Sequence, residues 1–247
     1  MKQIPIILLI LLLVSCGKDK VVLLPEIQNA KITKVIDVSP AYLFYDETQP
    51  DSIKLNRKNL ISTTNWLVNV DKRLTLEQAI PKIKFLQDKK RNAEMHKNEN
   101  AKNYFTCNDT SIQNLGFIEF TDVFYIEETI QRPWIKKSRF EGDFNSAVFI
   151  DVKSKDSIDL DIINPKQPLN NKQPDDQETI LSNTDLLFQK IGIDDLSSTL
   201  NSIEMKTYKI TLGFHKKISF QDYITIKSVV IKLKSEGITI DNNEFIY

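Results

Sequence analysis

The sequence predicts an α+β protein, with two related small sheet-plus-helix units after a cleaved N-terminal signal. Three observations carry that prediction. A hairpin pattern of 14 residues occurs twice, and a strand followed by a capped helix occurs twice after it, in the same order. The chain also opens on a basic residue and a short apolar run that ends at a cysteine. Repetition is established first, because it sets the number of units before local structure is assigned.

Residues 1–15 read as the signal. Lys2 supplies a short positive region, and residues 4–14 form an apolar run of eleven residues broken only by Pro5. A bilayer-spanning helix needs about 20 apolar residues, so the run reads as an export signal rather than an anchor helix. Leu13-Val14-Ser15-Cys16, a small residue just before a cysteine, resembles the lipobox of a bacterial lipoprotein. The resemblance implies cleavage before Cys16, lipidation of that cysteine and residence in the cell envelope. Several acyl chains hold a protein firmly where one holds it only marginally, so such a modification implies a stable membrane tether. The alternative is an ordinary secretory signal in which Cys16 has no special role. Gly17 rather than aspartate follows the cysteine, which by resemblance to enteric sorting favours the outer membrane. Residues 16–40 then form the lipidated tether, opening on the polar Gly17-Lys18-Asp19-Lys20, and an entry strand.

The first unit covers residues 41–130 and the second residues 144–247, with a connector at 131–143. Tyr42 to Leu55 aligns with Ala147 to Leu160 without a gap, at a spacing of 105 residues. Six positions are identical: Phe44/Phe149, Asp46/Asp151, Asp51/Asp156, Ser52/Ser157, Ile53/Ile158 and Leu55/Leu160. Each copy reads as a β-hairpin, a β-rich run followed by a polar turn and an alternating Ile-x-Leu. The turns fall at Thr48-Gln49-Pro50 and Lys153-Ser154-Lys155.

Val70 to Ile80 then aligns with Phe214 to Ile224 at a spacing of 144 residues. In each copy a strand (Trp66 to Val70, Tyr208 to Phe214) runs into two basic residues. Thr75 with Gln78, or Ser219 with Asp222, then resembles a capping box and predicts a helix start. Leu76, Ile80, Ile83 and Leu86 form the apolar stripe of the first helix, which Pro81 is expected to kink or shorten. Phe220, Tyr223, Ile226, Val230 and Leu233 form that of the second, with Gly237 as its C-cap. Each helix leads to a β-rich segment, residues 117–125 or 238–247.

The growth in spacing from 105 to 144 requires an insertion in the second copy, placed at 164–204. Residues 164–177 (NPKQPLNNKQPDDQ) read as a loop. Residues 185–203 read as one helix or two short ones, with Leu186, Leu187, Ile191, Leu196 and Leu200 apolar.

The order hairpin, helix, strand, capped helix, strand in residues 144–247 resembles the periplasmic domain of the biopolymer-transport ExbD/TolR family. Val148 to Leu160, Tyr208 to Ser219 and Phe220 to Tyr247 carry the likeness, and residues 41–126 resemble a diverged copy lacking the first helix. The resemblance implies a small α+β sheet packed by helices, dimerisation, and contact with peptidoglycan or an energy-transducing partner protein. Members of that family carry a transmembrane helix with a proton-coupling aspartate. The apolar run here has eleven residues and no acid, so a motor role does not carry over.

Lys+Arg and Asp+Glu are equal at 33 each, so no net field draws the chain to nucleic acid or to anionic lipid. With Cys16 acylated, Cys107 is the remaining thiol and no intramolecular disulfide forms; it reads as a buried small apolar residue, with a reactive thiol as the alternative. His96, His215 and Cys107 show no metal-ligand spacing. No nucleophile elbow, P-loop or dinucleotide fingerprint occurs among only six glycines. Neither a metal nor a cofactor is expected.

Residues 117–125 (FIEFTDVFY) put Phe117, Ile118, Phe120, Val123, Phe124 and Tyr125 in one β-like run. It reads as a half-buried strand, and as an edge strand it would take a partner peptide by strand addition. The expected function is a non-enzymatic, lipid-anchored envelope protein binding a protein or peptidoglycan partner. A structural spacer without a ligand is the first alternative, and an envelope hydrolase whose carboxylates converge only in the fold is the second.

Overall fold

A computed structural model describes residues 20–93, 98–128, 146–165, 184–205, 207–233 and 237–247. Two mixed six-stranded sheets and three helices make up these residues, an α+β architecture of two similar units. The first sheet holds β1 (Glu26–Ile27), β2 (Val38–Tyr45), β3 (Ile53–Asn56), β4 (Asn65–Val70), β5 (Asn103–Asp109) and β6 (Asn114–Glu119). The second holds β7 (Phe124–Glu127), β8 (Ala147–Ser154), β9 (Ser157–Pro165), β10 (Thr184–Ile191), β11 (Tyr208–Phe214) and β12 (Ile238–Ile246). The helices are α1 (Leu76–Arg91), α2 (Ile193–Asn201) and α3 (Phe220–Leu233).

The repeat read from sequence is a repeat of topology, with the correction that the strand following α1 and matching β12 is β5, not residues 117–125. The path β1-β5-β4-β2-β3 in one sheet matches β7-β12-β11-β8-β9 in the other, strand for strand and with the same senses. Sheet membership therefore crosses the chain order. β1, in the tether segment, lies parallel to β5 of the first sheet, and β7, within residues 41–130, lies parallel to β12 of the second.

The gapless hairpin alignment is corrected by two residues. Ile53 pairs with Tyr45 while its counterpart Ile158 pairs with Val152, not with Ile150. The cause is turn length. A loop of residues 46–52 joins β2 to β3, whereas β8 runs through Ser154 and turns at Lys155-Asp156. A shift of two keeps every side chain on its face, where a shift of one would reverse them all.

The 144-residue spacing holds at the centre of the molecule. The N–H groups of Leu76 and Glu77, which open α1, donate to the carbonyls of Ile218 and Lys216 (3.1 and 2.9 Å). Those of Phe220 and Gln221, which open α3, donate to Leu74 and Lys72 (2.7 and 3.2 Å). Each donor and acceptor has its counterpart 144 residues on, so the two units meet about a pseudo-two-fold axis through the Thr75–Ser219 bridge. A helix start leaves its first N–H groups without intrahelical partners; here each unit satisfies those of the other. The caps complete the arrangement. Gln78 Oε1 accepts from the Thr75 N–H (2.8 Å), and Ser219 Oγ accepts from the Asp222 N–H (3.1 Å).

Pro81 does not shorten α1, which continues to Arg91. It sits on the exposed side of the second turn, where water can serve the carbonyl that its missing N–H leaves free. A second correction concerns residues 185–203. Thr184–Ile191 is a strand, paired residue by residue with β9 from Thr184↔Pro165 to Ile191↔Ile158, and only Ile193–Asn201 is helical. Three consecutive apolar residues, Leu186 to Phe188, suit alternate faces of a strand as well as a helix; the open edge of β9 supplies a ladder that decides between them.

One hydrophobic core serves both units. It runs from Leu43, Val68 and Phe105 through Leu76, Ile80 and Ile83 of α1 to Ile150, Phe214 and Phe220. At its centre Phe105 stacks on Phe120 (ring centroids 3.8 Å apart) and meets Phe220 and Tyr223 edge-on at 5.2 and 6.2 Å. Cys107 is fully buried beside them, and burial pushes its thiol well above the usual range.

Candidate functional site

Residues 117–125 do not form one strand. Asn114–Glu119 belongs to the first sheet, the chain crosses over at residues 120–123, and Phe124–Glu127 joins the second. Phe117, Ile118, Phe120 and Tyr125 are buried, Val123 is half-buried, and Phe124 is exposed beneath the Arg91 guanidinium at 4.3 Å. α1 holds the crossover in place. Gln87 Nε2 donates to the carbonyls of Phe120 and Val123 (3.0 and 3.1 Å), and Arg91 donates to those of Thr121 and Val123 (both 3.0 Å). The run is therefore not one edge strand: its first part lies in β6, whose only strand partner among the described residues is β5 and which meets Ile32 at one bridge, and its last part lies in β7. Thr121-Asp122, a polar pair with turn chemistry inside the apolar run, is the sequence signal of the break.

The crossover opens an edge elsewhere. β7 pairs with β12 only from Asn243 to Ile246, so residues 238–242 of β12 have no strand on that side among the described residues. Of these, Ile240, Asp241 and Asn242 border a cleft of about 490 Å³ between the two sheets. Ile240, Ile231 and Val123 line it together with Phe117, Ile118 and Phe120 from the predicted run. Lys31, Lys232 and Asp122 are at its rim.

Two lysines fasten one wall. Lys31 Nζ donates to the Ile231 carbonyl at the end of α3 (2.9 Å), where a cation suits the helix dipole, and Lys232 Nζ donates to the Gln28 carbonyl (2.8 Å). Residues 27–30 press so closely on β6 that a Cβ added at Gly116 would lie 2.6 Å from Ala30 Cβ.

A buried polar chain lies next to this cleft. Lys227, which lines it, is ion-paired with Glu244. Tyr223 donates its hydroxyl to the second Glu244 oxygen (2.8 Å), and the Tyr125 and Tyr223 hydroxyls are 3.1 Å apart. Burial, with the Glu244 charge added, pushes both phenols well above their ordinary range. At the 144-residue spacing the first unit has Ala79 and Ile83 in place of Tyr223 and Lys227, so only the second unit carries this chain.

Carboxylates also meet on the second sheet. Asp151 and Asp159 are buried opposite each other on β8 and β9. Tyr247 donates to Asp151 (2.5 Å) and Lys153 to Asp159 (2.5 Å). Neither acid lines the cleft. Among the described residues no group of three or more His, Cys, Asp or Glu side chains could hold a metal ion.

The signal at residues 1–15, Cys16, His96 and the connector at 131–143 lie outside the described residues. Lys20, the first described residue, pairs with Asp46; that bond, with the Thr48 hydroxyl, holds the Asp46 carboxyl at about 2. The Leu23 N–H donates to Asp71 (3.2 Å), and the Lys72 N–H donates to the Leu23 carbonyl (2.7 Å). Burial pushes the Asp71 carboxyl up, but the Arg73 and Leu23 donors outweigh it and hold it below the usual range. No helix among the described residues is long and apolar enough to cross a membrane. No family model, curated protein or solved structure matches this chain.

Proposed function

We propose that this chain is a lipid-anchored cell-envelope protein, held by lipid on Cys16, that acts by binding rather than catalysis and takes an extended segment of an envelope partner in the cleft between its sheets. The observation that carries this reading is the unpaired stretch of β12, whose residues 240–242 face a cleft walled in part by Phe117, Phe120 and Ile231. An extended peptide adds to such an edge through main-chain hydrogen bonds, and side pockets select among sequences. A protein segment and the peptide stem of peptidoglycan both carry the amides this requires. The β11-α3-β12 order of residues 208–246 supports the ExbD/TolR likeness, to which β10 is an addition, and the pseudo-two-fold pairs the two units within one chain where the likeness implies a dimer. The Gly17 position supports the outer membrane as the anchor's location.

Affinity capture from detergent-solubilised envelopes tests the reading. The full chain is expected to retain a specific protein or wall fragment, and Ile240→Asp, which places a charge on the cleft wall, is expected to reduce recovery at least tenfold. Melting temperature confirms that the variant is folded. Recovery of nothing specific, or equal recovery by both chains, overturns the reading and leaves the spacer.

A further inference from the structure

We infer that the end of the first sheet bearing Val21, Leu23, Ile112 and Leu115 rests in the headgroup region of the bilayer, an inference that depends on the lipid at Cys16 proposed above. Three residues, Gly17 to Asp19, separate Cys16 from Lys20, so across four Cα–Cα steps their Cα atoms stand at most about 14 Å apart. Lys20 is fixed to the body by Asp46, and Leu23 by Asp71 and Lys72. A folded chain of this size has a radius of gyration of about 17 Å. The leash is shorter than the body it holds, and the end where it departs must face the membrane.

The parallel strands finish at that end. Asp46 follows β2, Asp71 follows β4, and the turn of residues 110–113 follows β5. Val21 (68% exposed) and Leu23 stand on the arriving chain, Ile112 (48%) on the turn, and Leu115 just after it. Scattered exposed apolar side chains need no explanation, but these are gathered where the leash ends. Lys20 and Arg73 are beside them, with apolar stems and charged heads suited to the boundary between lipid and water.

A second exposed set, Ile36, Val38 and Ile61, is at the opposite end of β2 and β4. The eight residues of β2 put about 23 Å between the two ends. That is beyond the leash, and the headgroup layer is only about 5–8 Å deep per leaflet. The occupant of the first end is therefore lipid, and the second end points away from the bilayer.

The test places an environment-sensitive fluorophore on Ile112→Cys or, as control, on Ile61→Cys, in the acylated full-length protein reconstituted in phosphatidylethanolamine/phosphatidylglycerol vesicles. Cys107 is buried and does not compete for the label. Spin-labelled acyl chains are expected to quench the Ile112→Cys label several-fold more than the Ile61→Cys label, with a blue shift only at the former. Equal quenching at the two sites overturns the inference. Mass spectrometry of the N-terminal fragment reads the anchor separately. With the lipid present and equal quenching this inference falls alone, and with the lipid absent the anchor falls with it.

Discussion

Lys227→Ala is expected to cost about 3–5 kcal/mol, because it leaves the Glu244 carboxylate buried without its cation. Lys227 and Glu244 side chains are 5% and 0% exposed, so water cannot replace the lost partner. The Tyr223 hydroxyl alone remains on that carboxylate among the bonds described above. Removing both charges is a different matter, since replacing a buried pair with groups of similar shape is often close to neutral. Lys227→Met with Glu244→Gln is expected to recover most of the loss, because the amide still accepts from Tyr223. Denaturant midpoints for Lys227→Met, Glu244→Gln and the double give the coupling directly. A double variant no more stable than Lys227→Ala would show that the pair does not behave as a unit.

Phe105→Ala is expected to destabilise the chain by about 3–5 kcal/mol, the range for deleting a large buried aromatic side chain. Phe105 is fully buried, and its ring touches Phe120 from the crossover and Phe220 and Tyr223 from α3. The loss therefore acts on both units at once. Because they share one core and complete each other's helix starts, unfolding is expected as a single transition, lowered by roughly 10 °C. Calorimetry that showed the second unit melting at its original temperature would contradict the shared core.

Much of this fold was legible in the sequence, at the places where local chemistry is strong. Thr75 with Gln78 and Ser219 with Asp222 mark both helix starts, and the 144-residue spacing proves to be the spacing of the pseudo-two-fold contact. Ile53-x-Leu55 and Ile158-x-Leu160 mark the second strand of each hairpin. The departures arise where distant partners decide. β10 is a strand because β9 offers it a ladder, which no local pattern reveals. The split of residues 117–125 was signalled only by Thr121-Asp122, against a strong apolar run on either side. The cleft was not legible at all. It exists because β7 stops short along β12, and the crossover that stops it is set by Gln87 and Arg91 on a helix some 30 residues earlier.

The two halves of the proposal have distinct physical bases. The anchor rests on the first sixteen residues and on the short leash to Lys20. The binding role rests on an unpaired strand edge with apolar side chains beside it. The buried Lys227–Glu244 pair gives the cleft a rigid base, which favours taking a partner with little rearrangement of the site.

Photo-crosslinking in intact cells tests the central claim most directly. A photoreactive residue in place of Ile240 is expected to yield a discrete adduct with one envelope protein or wall peptide, while the same residue in place of Phe85, exposed on α1, yields none. No adduct at Ile240, or the same adducts from both positions, would contradict a partner held in the cleft.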